Sequence, residues 1–138
     1  MNAVTTLRKV TPVLVVAKIE PVVSFWKKLD VMPTTEVPSA DGLVFVIFSA
    51  EGVEIMYQTS ASVQDDLVAS ASVKEAFRPD PQQSTLYIKV DSLAEVERRL
   101  RTERLVLPRR TTFYGATEVA YADPAGNIIV FAERDADA

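Results

Sequence analysis

An internal repeat constrains the fold of this chain more than any other feature of its sequence. Three landmarks differ from their counterparts by 74 positions. They are the first residue of a β-branched run, the residue before an amphipathic helix and the glycine of a turn: Thr11 and Thr85, Ile19 and Leu93, Gly52 and Gly126. A shared spacing predicts two copies of one supersecondary unit. The alternative is that two halves of an α+β sandwich resemble each other by coincidence.

Each copy is predicted to be a β-α-β-β-β module. The first module covers about 10–58, with strands over 12–17, 32–37, 43–49 and 53–58. Its helix opens at Glu20 and Pro21, because proline suits the first helical position. The apolar stripe of that helix, at helical spacing, consists of Val22, Phe25, Trp26 and Leu29. The predicted turns lie over 38–42 and 50–52, where glycine and proline concentrate.

The second module covers about 84–133 and repeats the order. Its strands are predicted over 85–90, 105–108, 116–121 and 128–133. Ser92 and Glu95 form a capping box that opens a helix ending near Thr102. A connection over about 59–83 joins the modules and is expected to contain one or two short helices. Within it, Ser72 and Glu75 form another capping box.

Composition excludes several kinds of chemistry. The 138 residues include no cysteine and no histidine, which removes thiolate chemistry and the commonest general base and metal ligand. The net charge of −4 disfavours nucleic acid. The arginines over 98–110 alternate with glutamates, which predicts a helix face of ion pairs. No apolar run is long enough for a membrane span or a secretory signal, so a cytoplasmic location is predicted.

Three stretches resemble a known superfamily: TPVLVVAKIEPVVSFWKKLDV, FYGATEVAYADPAGN and the ending DPAGNIIVFAE. With the two β-α-β-β-β modules, they are similar to the vicinal oxygen chelate superfamily of glyoxalase I, extradiol dioxygenases and bleomycin resistance proteins. The bleomycin resistance proteins are the most similar group. The resemblance implies an α+β fold, in which the two modules form a cupped sheet with helices on the outside. It also implies a ligand in the cup and a homodimer.

The resemblance implies four metal-ligand positions, which here hold Thr11, Met56, Thr85 and Val130. Enzymes of the superfamily have His, Glu, Gln or Tyr there. Two hydroxyls, a thioether and an isopropyl group form a poor donor set for a divalent metal. We therefore predict no metal and no cofactor. A one-residue change of register would bring Glu54 to the metal position, as a single carboxylate.

The remaining ligand-binding candidates surround those positions. Glu54 and Gln58 share a strand face with Met56 by period-2 alternation. Glu54 is either a solvated strand residue or a carboxylate that orients a cationic or hydrogen-bonding ligand. Phe113 and Tyr114 precede a strand in a loop, where they contact the ligand, cover the cup mouth or line a subunit interface.

Other aromatic and acidic side chains complete the candidates. Phe45 and Phe48 could stack on a ligand. Glu118 and Glu133 are predicted to be solvated. Tyr57 and Phe131, which correspond under the offset of 74, are expected to point into the core.

These observations predict a metal-free protein that sequesters a bulky or cationic small molecule, as in antibiotic resistance. A homodimer is predicted, and exchange of the N-terminal strand at Pro12 is a further option. The runner-up is a metal-dependent lyase or dioxygenase of the same superfamily. A structural dimer whose cup is filled by its own side chains, and metal-free catalysis with Tyr114 or Glu54 carrying protons, are left open.

Overall fold

A computed structural model of the chain describes residues 5–67 and 80–134, with backbone alone at 67 and 134. These residues form two four-stranded sheets. The first has the order β1-β4-β3-β2 and contains β1 (Val13–Val16), β2 (Pro33–Ser39), β3 (Gly42–Ala50) and β4 (Val53–Thr59). Helix α1 (Glu20–Lys27) connects β1 to β2. We call this unit module one.

The second sheet repeats the first. Its order is β5-β8-β7-β6, and it contains β5 (Thr85–Lys89), β6 (Arg104–Thr111), β7 (Ala116–Ala122) and β8 (Ile128–Arg134). Helix α3 (Leu93–Arg99) connects β5 to β6, and this unit is module two. Helix α2 (Ser60–Leu67) follows β4 in the connection between the sheets. The predicted α+β fold of two β-α-β-β-β units is confirmed, whereas the capping box at 72–75 lies outside the described residues.

Strand pairing preserves the repeat with one exception. Val13 of β1 pairs in parallel with Met56, and Tyr87 of β5 pairs with Val130. Both members of the second pair are 74 positions after those of the first. The exception lies in β7. Ala132 follows Gln58 by 74 positions, but their partners, Glu118 and Phe45, differ by 73 positions. The turn before β8 therefore holds one more residue than the turn before β4.

The two helices begin as the sequence predicts. Pro21 lies in the first turn of α1, and the Ser92 hydroxyl accepts a hydrogen bond from the Glu95 amide at 3.2 Å at the start of α3. The apolar stripe of α1 buries Val22, Phe25 and Trp26. Trp26 packs against Phe48 with ring centroids 6.1 Å apart. Helix α1 therefore covers one face of the first sheet and leaves the other face uncovered.

Two edge strands extend further than predicted. Strand β2 continues to Ser39 and β6 continues to Thr111, each through a proline. Pro38 follows a register shift in β2, and Pro108 lies within the shifted segment of β6. Both strands lie at a sheet edge, where a missing N–H donor is tolerated and bulges are common. Helix α3 is shorter than predicted, since it ends at Arg99.

A buried polar chain connects the two modules inside the core. The Trp26 indole donates to the Tyr57 hydroxyl at 3.0 Å, and that hydroxyl donates to Asp123 at 2.9 Å. Asp123 also accepts the backbone amides of Ala125 and Asn127, each at 2.9 Å. Tyr57 is in the first sheet and Asp123 in the last turn of module two, so this chain fixes how the modules meet.

Candidate functional site

Each sheet has one face on the core and one face turned away from its helix, and we call the latter the cup face. On the first sheet, cross-strand pairing aligns Ser49 with Glu54, Ile47 with Met56 and Phe45 with Gln58. These side chains share the cup face because directly opposite residues point the same way. All six are half-buried. The predicted grouping of Glu54, Met56 and Gln58 on one face follows from this register.

Glu54 is the most constrained side chain of that face. Its carboxylate accepts hydrogen bonds from the hydroxyls of Thr11, at 2.5 Å, and Ser49, at 3.0 Å. It also pairs with the Lys9 ammonium at 3.0 Å. Chiefly through the Thr11 bond, and then through Lys9 and Ser49, these contacts lower the pKa of Glu54 to about 2. The side chain is 21% exposed and ionised, so it is neither freely solvated nor neutral.

Glu54 lines an open cleft of about 550 Å³ between the two modules. One wall is formed by Val10, Pro12 and residues 51–55, and the other by residues 86–89 of β5. The second wall includes Tyr87, which is 47% exposed, and Lys89. An acidic residue, an aromatic residue, a lysine and apolar residues therefore line one solvent-accessible space.

Gln58 is partly engaged by α2. Its amide donates to the Ser62 hydroxyl at 3.0 Å and to the Asp66 carboxylate at 2.9 Å. Helix α2 thus closes the end of the first cup face that is farther from Glu54. Ligand contact at Gln58 would compete with these two bonds.

Glu118 differs from the sequence-based expectation. It was predicted to be solvated, yet the residue is 2% exposed on the cup face of the second sheet. Tyr114 donates its hydroxyl to Glu118 at 2.5 Å and Arg110 donates at 3.2 Å. The Tyr114 bond is the largest cause that lowers the pKa of Glu118. The prediction was wrong because the loop before β7 folds back over the strand.

Tyr87 belongs to the same cluster. Desolvation, followed by the influence of Tyr114 and Glu118, raises the pKa of Tyr87 to about 12. Ala120 and Ala132, on the same face, are 2% and 0% exposed. Glu118, Ala120 and Ala132 of the second cup face are therefore buried, whereas Tyr87 on the same face is 47% exposed. Val130 is half-buried there, and Thr85 is exposed opposite Ile128.

The candidate aromatic residues separate into three environments. Phe113 is fully exposed at the tip of the loop before β7, beside Tyr114 with ring centroids 5.0 Å apart. Phe45 is half-buried on the first cup face. Phe48 is completely buried under α1, so its prediction as a stacking residue was wrong. Alternation explains the difference, since residues 45 and 48 point to opposite faces. Tyr57 and Phe131 lie in the core as predicted.

The four positions implied for a metal do not form a donor set. Met56 pairs with Val13, which leaves Glu54 rather than Met56 beside Thr11. Val130 carries no donor atom. Within 5–67 and 80–134, no three His, Cys, Asp or Glu side chains converge. Glu54 would add a single carboxylate to two hydroxyls, a thioether and an isopropyl group, and such a set does not fit a catalytic divalent ion.

Other sequence predictions concern the surface. Arg98 and Arg99 pair with Glu95 on α3, which confirms the predicted helix face of ion pairs. Arg109 of β6 pairs with Glu97 of the same helix. In the part of the chain that the structure describes, no helix combines the length and hydropathy needed to cross a membrane.

Ser49, Tyr87 and Lys9 are not among the site residues that the sequence predicts. The signal for Ser49 was available, because the pairing of β3 with β4 puts it opposite Glu54. Tyr87 shares a strand face with Thr85, which was a candidate. The contact of Lys9 with Glu54 spans 45 positions and left no sequence pattern.

Comparison with known proteins identifies the fold. No family model and no curated protein matches the sequence. Among solved structures, a glyoxalase/bleomycin resistance protein/dioxygenase from Nocardioides is 17% identical, with a TM-score of 0.69, over 98% of this chain and 89% of that one. A bleomycin-binding protein complexed with bleomycin is 16% identical, with a TM-score of 0.61, over 94% of this chain and 100% of that one.

A lactoylglutathione lyase from Agrobacterium tumefaciens also matches, at 17% identity and a TM-score of 0.65, over 94% of this chain and 95% of that one. The chain therefore has the fold of glyoxalase/bleomycin resistance/dioxygenase-type proteins, as the sequence motifs predicted. At these identities the likeness establishes the fold alone.

Proposed function

We propose that this protein binds a bulky or cationic small molecule without a metal and sequesters it, as a resistance protein does. The observation that carries the proposal is Glu54, an ionised carboxylate fixed by two hydroxyls at the edge of an open cleft. A preorganised anion beside apolar and aromatic surface suits a ligand with a positive group and a hydrophobic body.

The shape of the first cup face supports the same ligand class. Phe45, Ile47 and Met56 are half-buried side by side and provide apolar contact area. Thr11, Glu54 and Gln58 supply polar groups around it. From the second module, Thr85, Val130 and the loop aromatics Phe113 and Tyr114 are the proposed further contacts. Ligand sites of this kind combine a mostly apolar lining with a few oriented polar groups.

Homodimer formation is part of the proposal. Val13, Val37 and Tyr87 lie on or beside the cup faces and are each more than 40% exposed. A partner subunit over these faces would bury them and convert each cup into a closed cleft. Exchange of the N-terminal segment that precedes Pro12 is a further option, and it would leave the pairing of Val13 with Met56 in place. Sedimentation equilibrium tests whether the protein is a dimer. We also propose that the protein acts in the cytoplasm.

The test uses bleomycin as the probe, because it is large, cationic and aromatic. Calorimetric titrations with metal-free and copper-loaded drug should both give saturable heat, since the protein supplies no metal ligand. We expect a dissociation constant below about 10 µM, which corresponds to a binding free energy of roughly −7 kcal/mol or more favourable. No heat at tens of micromolar protein would remove the drug-sequestration proposal.

The second candidate is a metal-dependent lyase or dioxygenase, which the shared fold with a lactoylglutathione lyase supports. It needs donors beyond Glu54, and the described residues offer none that converge. Elemental analysis of protein purified without chelators separates the two candidates. Stoichiometric nickel, iron, zinc or manganese that is lost in Glu54→Ala would contradict metal-free binding and rank the metal-dependent enzyme first.

A further inference from the structure

The N-terminal arm, residues 5–10, contacts Glu54 through one residue and lines the adjoining cleft with Val10. Residues 5–10 have no regular secondary structure, and Leu7 and Val10 are 91% and 88% exposed. Lys9 is the contact, because its ammonium lies 3.0 Å from a carboxylate oxygen of Glu54. The Lys9 side chain is itself 62% exposed. The arm therefore holds a cation in the site without being packed into the fold.

The three partners of Glu54 differ in how firmly they are fixed. Ser49 belongs to β3, and Thr11 immediately precedes Pro12, whose carbonyl accepts the Met56 amide at 2.9 Å. These two hydroxyls are held by the sheet. Lys9 has no such anchor, and its pairing with Glu54 has the exposed geometry in which ion pairs are weak and readily exchanged. A cation from solution can therefore replace the Lys9 ammonium while Thr11 and Ser49 keep the carboxylate in position.

We propose that Lys9 is a tethered competitor: its ammonium occupies the cation position on Glu54 until a ligand ammonium displaces it and releases the arm. This inference rests on the proposed ligand site and specifies its ligand as an organic cation, such as a primary ammonium with an apolar body. The tether keeps the lysine at a high local concentration, so it lowers the apparent affinity for every ligand that must displace it.

The size of the effect follows from the strength of an exposed ion pair. If the closed arm is favoured by the amount usual for such pairs, removing the Lys9 charge should tighten binding of a cation about twofold to sixfold. A neutral ligand does not need the Glu54 oxygens and should show no change. Salt should reduce the difference, because screening weakens the exposed pair.

The experiment compares wild-type protein with Lys9→Met, which keeps the length and apolar stem of the side chain. The probes are n-hexylammonium chloride and the neutral hexan-1-ol, titrated by protein NMR at matched ionic strength. Lys27→Met is the control, because it removes one positive charge from an exposed position on α1. Lys9→Met should bind hexylammonium about twofold to sixfold more tightly than wild type and Lys27→Met. Hexanol should bind all three proteins equally.

A second readout follows the arm itself. Amide relaxation of Leu7 and Val10 should indicate a restrained arm in wild type and a mobile arm in Lys9→Met. Saturating hexylammonium should mobilise the arm of wild type. The double variant Lys9→Met with Glu54→Gln should lose the gain in affinity.

Three results would overturn the inference. They are equal hexylammonium affinity in wild type and Lys9→Met, an arm that stays restrained at saturation, and no hexylammonium binding to Lys9→Met. If bleomycin gives no heat but hexylammonium behaves as described, drug sequestration fails while the competitor role of Lys9 stands.

Discussion

The two modules share one backbone fold, but the acidic residues on their cup faces lie in different environments. In module one, Glu54 lies at the start of β4, ionised and in contact with an open cleft. In module two, Glu118 lies in the middle of β7, buried under Tyr114 and Arg110. The residue of module one that corresponds to Glu118 is the half-buried Phe45. One copy therefore presents an apolar floor with an anion at its edge, and the other buries its anion in the middle.

This difference agrees with the ligand site that we propose for module one. A carboxylate with two fixed donors at an open edge can exchange its third partner, so module one is suited to binding. A carboxylate covered by its own loop contributes to the rigidity of that loop, so module two is suited to support. Each of the following predictions tests this comparison through a matched pair of positions.

The largest expected effect comes from the turn that holds the modules together. Asp123→Ala removes the acceptor for Tyr57 and for the amides of Ala125 and Asn127, all of which are buried or partly buried. We expect a loss of about 3–5 kcal/mol in the free energy of unfolding, measured by urea denaturation. Position 123 corresponds to Ala50, which precedes the tight turn of module one. Glu51→Ala in that turn is the control and should leave the urea midpoint unchanged. If Asp123→Ala lowers the free energy of unfolding by less than about 1 kcal/mol, the turn of module two does not hold the modules together.

A smaller loss is expected at the buried carboxylate of module two. Glu118→Ala removes the acceptor of the Tyr114 hydroxyl and of Arg110 and leaves a small space. Because both donors reach solvent, the cost should be about 1–2 kcal/mol, measured by thermal unfolding. Glu133→Ala, one of the two glutamates predicted to be solvated, is the control. Equal midpoints for the two variants would show that burial of Glu118 contributes nothing to stability.

The carboxylate of module one is expected to titrate far from its usual range. Its pKa of about 2 lies below the ordinary value of 4.5, so the stabilisation it provides is complete above about pH 4.5 and is lost as the pH falls towards 2. Carbon NMR of the Glu54 carboxylate should give a midpoint near 2. Thr11→Val removes the largest contribution and should raise that midpoint, whereas Tyr114→Phe should leave it unchanged and raise the midpoint of Glu118. A Glu54 midpoint near 4.5 in wild type would mean that the three donors do not hold it.

The smallest effect on stability is expected at the loop tip. Phe113 is fully exposed, so Phe113→Ala should change the free energy of unfolding by less than about 0.5 kcal/mol. If the ring contacts ligand as proposed, the affinity for bleomycin should fall about twofold to tenfold. Phe45→Ala, on the floor of the first cup, is the comparison and should weaken both stability and binding. Unchanged binding in Phe113→Ala would exclude this loop from the site.

Sequence patterns predicted the fold because the repeat, the capping box at Ser92 and the strand alternation are local signals. The same signals predicted that Tyr57 and Phe131 are core residues and that Glu54 shares a face with Met56. They could not predict the burial of Glu118, which depends on how the loop carrying Tyr114 folds back.

The contact of Lys9 with Glu54 was beyond these patterns for a related reason. It joins an irregular arm to a strand 45 positions away, and one ion pair does not alter the local sequence pattern. Phe48 was predicted to stack on a ligand because it is aromatic, although alternation along β3 directs its side chain to the core face. For this chain, the sequence therefore predicts the secondary structure but not the long-range contacts between side chains.

The most direct test of the proposed function is a pair of calorimetric titrations with metal-free bleomycin. Glu54→Gln and Glu118→Gln each remove one carboxylate charge from a cup face, one in each module. We expect Glu54→Gln to weaken binding about tenfold or more, because a charged partner is lost, and Glu118→Gln to change it less than about twofold. Equal affinities for the two variants, or a stronger loss in Glu118→Gln, would contradict a ligand site centred on Glu54.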